Sequence, residues 1–183
     1  MGHGMKYGAG LSIEQRIARL EQQAILQSSL ASCRVYSTTS GNVVTVPSAT
    51  VTPIPFNAEL WDTDDLHDTT TDNTQVLLPR IGIWEVGMNV LYLPSTGYTN
   101  AADLWALIRR NGSDMDLQSI VSSYGAVNGH SSSPGGQAST IIRTTDTDDY
   151  VEFCAYCDNT ATQVYNTSGD SSQNTAWVRY LGP

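Results

Sequence analysis

From Cys33 to its last residue the chain is a succession of short β-rich runs broken by turn signals, with no second helical segment among them. "RVYSTTSGNVVTVPS" holds two such runs around a turn at 40–42. "ATVTPIPFNAELWDT" alternates, and its Pro53 and Pro55 suit an edge strand or a strand start, where a missing N–H is harmless. "TQVLLP", "GIWEVGMNVLYLP" and "DLWALIRRNG" follow, the last ending in Asn111–Gly112, a strong hairpin-turn pair. "LQSIVSSYGAV" then precedes "NGHSSSPGGQ", which reads as a loop too polar and glycine-rich to pack. "STIIRTT", "DYVEFCAYC" and "NTAWVRYLGP" close the series. Roughly eight to ten strands without βαβ alternation imply an all-β domain, a β-sandwich or jelly roll.

One segment departs from this pattern. In "SIEQRIARLEQQAILQ" the residues Ile13, Ile17, Leu20 and Ala24 recur at alternating spacings of four and three, the apolar seam of a coiled coil, with a weaker continuation through Gln27 and Ala31. Ser12 followed by Gln15 predicts a capping box at the helix start. Glu14, Arg16, Arg19 and Glu21 flank the seam, free to stay solvated or to pair with neighbouring chains. At about 1.5 Å per residue the segment is roughly 25–30 Å long, and a lone helix of that length is marginal in water. It therefore docks on the β-domain or associates with copies of itself. The second option is the simpler, and it requires the domain behind so short a seam to oligomerise too.

Composition closes off several functions. The chain has 183 residues and 40% hydrophobic content, enough for one packed domain with a short appendage. A formal net charge of −9 with no basic run argues against nucleic-acid binding. No apolar run could span a bilayer, and "MGHGMKYGAG" has no stretch of signal-peptide length. The expectation is a soluble cytosolic product made without Sec-type export and without membrane insertion.

Sites of chemistry are few. Cys154 and Cys157 spell C-x-x-C, but on a strand they point to opposite faces, which suits neither a zinc pair nor a redox turn. The alternation puts Val151, Phe153, Ala155 and Cys157 on one face and Glu152, Cys154 and Tyr156 on the other. Asp62, Asp64, Asp65, His67, Asp68 and Asp72 form an acidic cluster. It reads first as a solvated loop and second as a calcium site, although no EF-hand spacing is present. His130 with Ser131–Ser133 lacks a nucleophile elbow, and no phosphate-binding or dinucleotide fingerprint appears. No catalytic residue, cofactor or metal is expected, and the chain reads as a non-enzyme.

Residues from Val43 to Pro183 resemble a C1q/TNF-type jelly roll, in particular the divergent versions found in bacteriophage virion proteins. "PFNAELWDTDDLHD" is similar to that family's opening strand and acidic loop. "LLPRIGIWEVGMNVLYL" is similar to its Pro, Gly and aromatic strand, through Pro79, Gly82 and Trp84. "LWALIRRNG" resembles the next strand and its turn, and "NTAWVRYLGP" the closing strand. "TTDTDDYVEFCAYCDNT" resembles the family's Gly-Asp strand, with the glycine replaced.

The resemblance implies a homotrimer, a threefold head on a coiled-coil stalk. Tyr92, Tyr156 and Trp177 are then candidates for the threefold centre, with ordinary packing inside one protomer as the alternative. Residues 1–11 are expected to be a glycine-rich anchor to other virion proteins, 12–32 the stalk helix and 33–183 the head. The function implied is that of a capsid or tail fibre, spike or decoration protein on the virion surface, with a host-surface glycan as an external ligand. The alternatives are a free-standing C1q-like lectin or adhesion module and a cement protein with no ligand.

Overall fold

The computed structural model describes residues 12–28, 30–92, 104–113, 135–158, 162–166 and 173–183. The chain divides into two compact units, residues 1–30 and residues 31–183. The expected anchor at 1–11, the run at 117–127 and the His130–Ser133 group lie outside the described residues.

In the first unit, α1 (Ile13–Ser28) begins at the capping box that its sequence predicts. The Gln15 N–H donates to Ser12 Oγ at 3.2 Å and the Ser12 N–H donates to Gln15 Oε1 at 3.0 Å. Two amide donors that the first helical turn leaves without backbone partners are thereby satisfied reciprocally. The helix stops at Ser28, short of the expected residue 32. Ala31, placed by periodicity on the seam, is fully buried in the second unit's core, and Ser32 opens the first strand.

The second unit is built from β1 (Ser32–Tyr36), β2 (Gly41–Val46), β3 (Thr52–Pro53), β4 (Ala58–Asp62), β5 (Gln75–Leu77) and β6 (Gly82–Leu91). They are followed by β7 (Leu104–Arg110), β8 (Gly135–Thr144), β9 (Tyr150–Cys157), β10 (Thr162–Asn166) and β11 (Thr175–Gly182). One sheet has five strands in the order β4-β1-β11-β6-β8. In the other, β9 pairs with β7 along one edge and with both β3 and β5 along the opposite edge, while β2 and β10 form a separate ribbon. Every strand pair is antiparallel. Although the turn at 40–42 separates β1 from β2, the two do not pair with each other. β1 joins the five-stranded sheet and β2 joins β10.

Alternation places the core between the sheets. Cys33 and Val35, Trp84, Val86 and Met88, and Ala176 and Val178 face inward from the five-stranded sheet. They meet Leu104, Ala106 and Ile108 with Val151, Phe153 and Ala155 from β7 and β9. Trp84 packs edge-on to Tyr180 at 5.1 Å and donates its indole N–H to the Arg80 carbonyl at 2.9 Å, so the ring is buried with its polar atom satisfied. Cys157 belongs to this core. Cys154 lies opposite Leu107 outside it, so the two cysteines face opposite ways as alternation predicts, and none of the three cysteines is in a disulfide.

Two local features explain themselves. Asn111 and Gly112 have φ of 53° and 69°, both left-handed as a type I′ turn requires, and the Ser113 N–H closes it on the Arg110 carbonyl at 3.0 Å. The stretch read as an unpackable loop up to Gln137 already belongs to β8 from Gly135. At Gly136 a Cβ would stand 3.1 Å from a Val90 methyl and 3.2 Å from the Ala106 Cβ, so the glycine lets the strand lie close both to its neighbour β6 and to β7 of the facing sheet.

Candidate functional site

The outward face of the five-stranded sheet carries one row of residues set by strand register. Trp61 of β4 lies opposite Arg34 of β1, Arg34 opposite Trp177 of β11, Trp177 opposite Gly87 of β6, and Gly87 opposite Ser139 of β8. The Arg34 guanidinium sits 5.7 Å from the centre of the Trp61 ring, a cation–π contact. The Trp177 indole lies across Gly87, where a Cβ would fall 2.1 Å from a ring carbon; only a residue without a side chain lets the ring lie flat there. In the next row Arg179 pairs with Glu85 at 2.8 Å.

These side chains border a groove lined by Ser32, Arg34, Trp61, Glu85, Asn89, Trp177 and Arg179. Ile83 on β6 and Ile141 on β8 extend the face with apolar side chains, Ile141 being 56% and Trp61 47% exposed. A sheet face with exposed tryptophan and isoleucine beside a charged pair combines an apolar body with polar directors, the makeup of a protein-contact surface.

A second concavity is the acidic loop, lined by Glu59, Asp65, Leu66, His67, Asp68, Thr69, Asp72, Gln75 and Leu77. Several carboxylates in and beside it are engaged with their own chain. Asp62 accepts from the N–H groups of Asp64 and His67, at 3.2 and 2.9 Å. Asp64 pairs with Arg80. The Thr71 and Thr70 amides and the Thr70 hydroxyl hold the Asp68 carboxyl down at about 2. The His67 side chain has no exposed surface, and its two ring nitrogens lie against Glu59 Oε1 at 3.2 Å and the Asn73 carbonyl at 3.3 Å. The arrangement ties the loop back onto β4. Among the described residues no group of three or more His, Cys, Asp or Glu is placed to hold a metal ion. The Cys33 thiol is pushed well up by burial and by the neighbouring Asp62 and Glu59 carboxylates, so it is no nucleophile.

The sequence-predicted contact residues divide. Ile13, Ile17 and Leu20 lie exposed on α1, at 75%, 49% and 64%; the Ala24 side chain is outside the described residues. Trp177 is on the outward sheet face. Tyr156 is half-buried and stacks on Trp105 with ring centres 4.8 Å apart, on the outer side of the β7–β9 pair. Tyr92 requires correction. It is fully buried in its own protomer and donates its hydroxyl to the Trp105 carbonyl at 2.6 Å, so it fills the core and faces no neighbour. Sequence reading missed Trp61, Arg34, Ile83 and Ile141. Alternation alone could have marked Arg34 and Ile83 as outward, since Arg34 lies between the core residues Cys33 and Val35 and Ile83 directly precedes the core residue Trp84.

No family model matches the chain, and no curated protein matches it in sequence. Solved structures do match in fold. Crystal structures of murine APRIL at pH 8.0, 8.5 and 5.0 superpose with TM-scores of 0.55, 0.53 and 0.51, at 10%, 9% and 9% identity. In each comparison 84% of this chain and 100% of the other is covered. The second unit is thus a TNF-like jelly-roll β-sandwich, and identity this low speaks to fold alone.

Proposed function

We propose that this chain is a non-enzymatic structural protein of a bacteriophage virion: a homotrimeric fibre, spike or capsid-decoration protein. Residues 1–11 hold it to other virion proteins, α1 is its stalk, and the β-sandwich is the head. The observation that carries this reading is that one chain exposes two apolar surfaces among its described residues. One is the α1 stripe of Ile13, Ile17 and Leu20. The other is the sheet face of Trp61, Trp177, Ile83 and Ile141. Each costs free energy when left in water, roughly 25 cal/mol per Å² of apolar area, and self-association removes both at once. The TNF-like fold suits the head, and the resemblance to phage C1q-type domains supplies the threefold state and the particle. Ser/Thr/Asn/Tyr-rich segments of the head suit weak contacts with host-surface glycans, multiplied by threefold symmetry.

Light scattering on the purified full chain tests the assembly: a mass of three copies is expected, and a monomer at micromolar concentration overturns it. Immunogold labelling of particles from the source phage tests the location, and label absent from intact virions overturns that part. A glycan array probed with the trimer tests the external ligand, and the cement reading is favoured if nothing binds.

A further inference from the structure

We propose that α1 meets its copies as a parallel, in-register coiled coil whose direction and register are set by Arg16 of each chain facing Glu21 of the next. The proposal rests on the homotrimer reading and deepens it. The observed helix, Ile13–Ser28, leaves Ile13, Ile17 and Leu20 exposed along one stripe. Their spacing puts Ile13 and Leu20 at d positions and Ile17 at a. Arg16 then falls at g and Glu21 at the following e. In a parallel, in-register assembly a g residue faces the e residue five positions further along the neighbouring chain. Arg16 meets Glu21 at every seam, opposite charges beside an apolar core. An antiparallel arrangement sets g against g and e against e, so arginine faces arginine and glutamate faces glutamate. Charge complementarity therefore selects a second copy, in one orientation, as the occupant of the stripe.

Nothing within a single helix explains these two charges. The residues three and four positions from Arg16 are Ser12, Ile13, Arg19 and Leu20, and those from Glu21 are Ile17, Ala18, Ala24 and Ile25. Neither residue has an opposite charge there, and Arg16 has a like charge in Arg19. Arg16 also sits near the N-terminal end of the helix, where a cation is the unfavourable sign. In an isolated helix Arg16→Glu is thus stabilising twice over, by pairing with Arg19 and by suiting the dipole. In the parallel seam it is destabilising, since it faces Glu21 of the neighbour. The two situations predict opposite signs.

The test uses the full chain and its Arg16→Glu, Glu21→Arg and doubly reversed variants, read by circular dichroism at 222 nm during heating and by light scattering. Expected are a three-copy mass for the wild type, helical melting lowered by about 5 °C or more in each single variant, and recovery in the double variant. The single-variant losses should shrink in about 1 M salt, where the Debye length is roughly 3 Å. Helix content that rises in Arg16→Glu, or melting unchanged in all variants, overturns the seam; if the trimer mass persists, the homotrimer reading stands without it. A monomeric wild type overturns that reading itself.

Discussion

Gly87→Ala puts the packing of the outward sheet face to a direct test. The added Cβ would stand 2.1, 2.5 and 2.8 Å from three Trp177 ring carbons, against an ordinary contact of roughly 3.5–4 Å. The backbone at Gly87 has no positive φ to strain, so the conflict is with the indole alone. Trp177 must swing off the sheet. A tryptophan side chain buries roughly 150–250 Å² when packed, and a half-buried one that swings out loses about 100 Å². At about 25 cal/mol per Å² this is a loss of about 2.5 kcal/mol. Alanine returns about 0.5–1 kcal/mol by narrowing the unfolded ensemble. The net expectation is a loss of about 1.5–2 kcal/mol, read as a urea midpoint lowered by about 1 M at an m-value near 2 kcal/mol/M. In a Trp177→Ala background the obstacle is gone, and the same Gly87→Ala change should be neutral or slightly stabilising. A Gly87→Ala protein with wild-type midpoint and unchanged tryptophan fluorescence would refute the argument. So would an equal loss in both backgrounds.

Other perturbations have equally definite outcomes. Asn111 donates its side-chain N–H to Asp149 Oδ1 at 2.6 Å and accepts from the Tyr150 N–H at 2.9 Å. Asn111→Asp replaces that donor with a second carboxylate, so a loss of about 2–3 kcal/mol is expected in denaturant titrations at pH 7. Burial opposes ionisation of Asp149, but hydrogen bonds from Asn111 and from the Thr145 and Asp146 amides, with the Arg110 charge, outweigh it and lower its pKa. Its contribution is therefore complete above the unfolded value of about 3.9 and lost as pH falls through the lower folded value; Asp149→Asn should flatten that acid limb of stability. Ser12→Ala removes one side of the capping box and should cost α1 about 1 kcal/mol, seen as reduced ellipticity at 222 nm.

What could be read without the structure is what depends on near neighbours in the chain. The capping box of Ser12 and Gln15, the type I′ turn at Asn111–Gly112 and the opposite faces of Cys154 and Cys157 each follow from a few consecutive residues and a fixed period. The all-β class follows from the same local patterns repeated. What only the tertiary structure decided is which strand lies beside which. Arg34 and Trp177 lie near opposite ends of the β-unit's sequence and meet because β1 pairs with β11, a register no local pattern encodes. The same holds for Gly87 beneath Trp177 and for Gly136 between Val90 and Ala106, where the reason for a glycine lies on distant strands. Tyr92, for which the sequence leaves core and interface both open, and Ala31, at the weak end of the helical pattern, are decided the same way. Periodicity says that a side chain is apolar or lies on a given face, but only the packing of layers from distant segments says whether that face meets the core or the solvent.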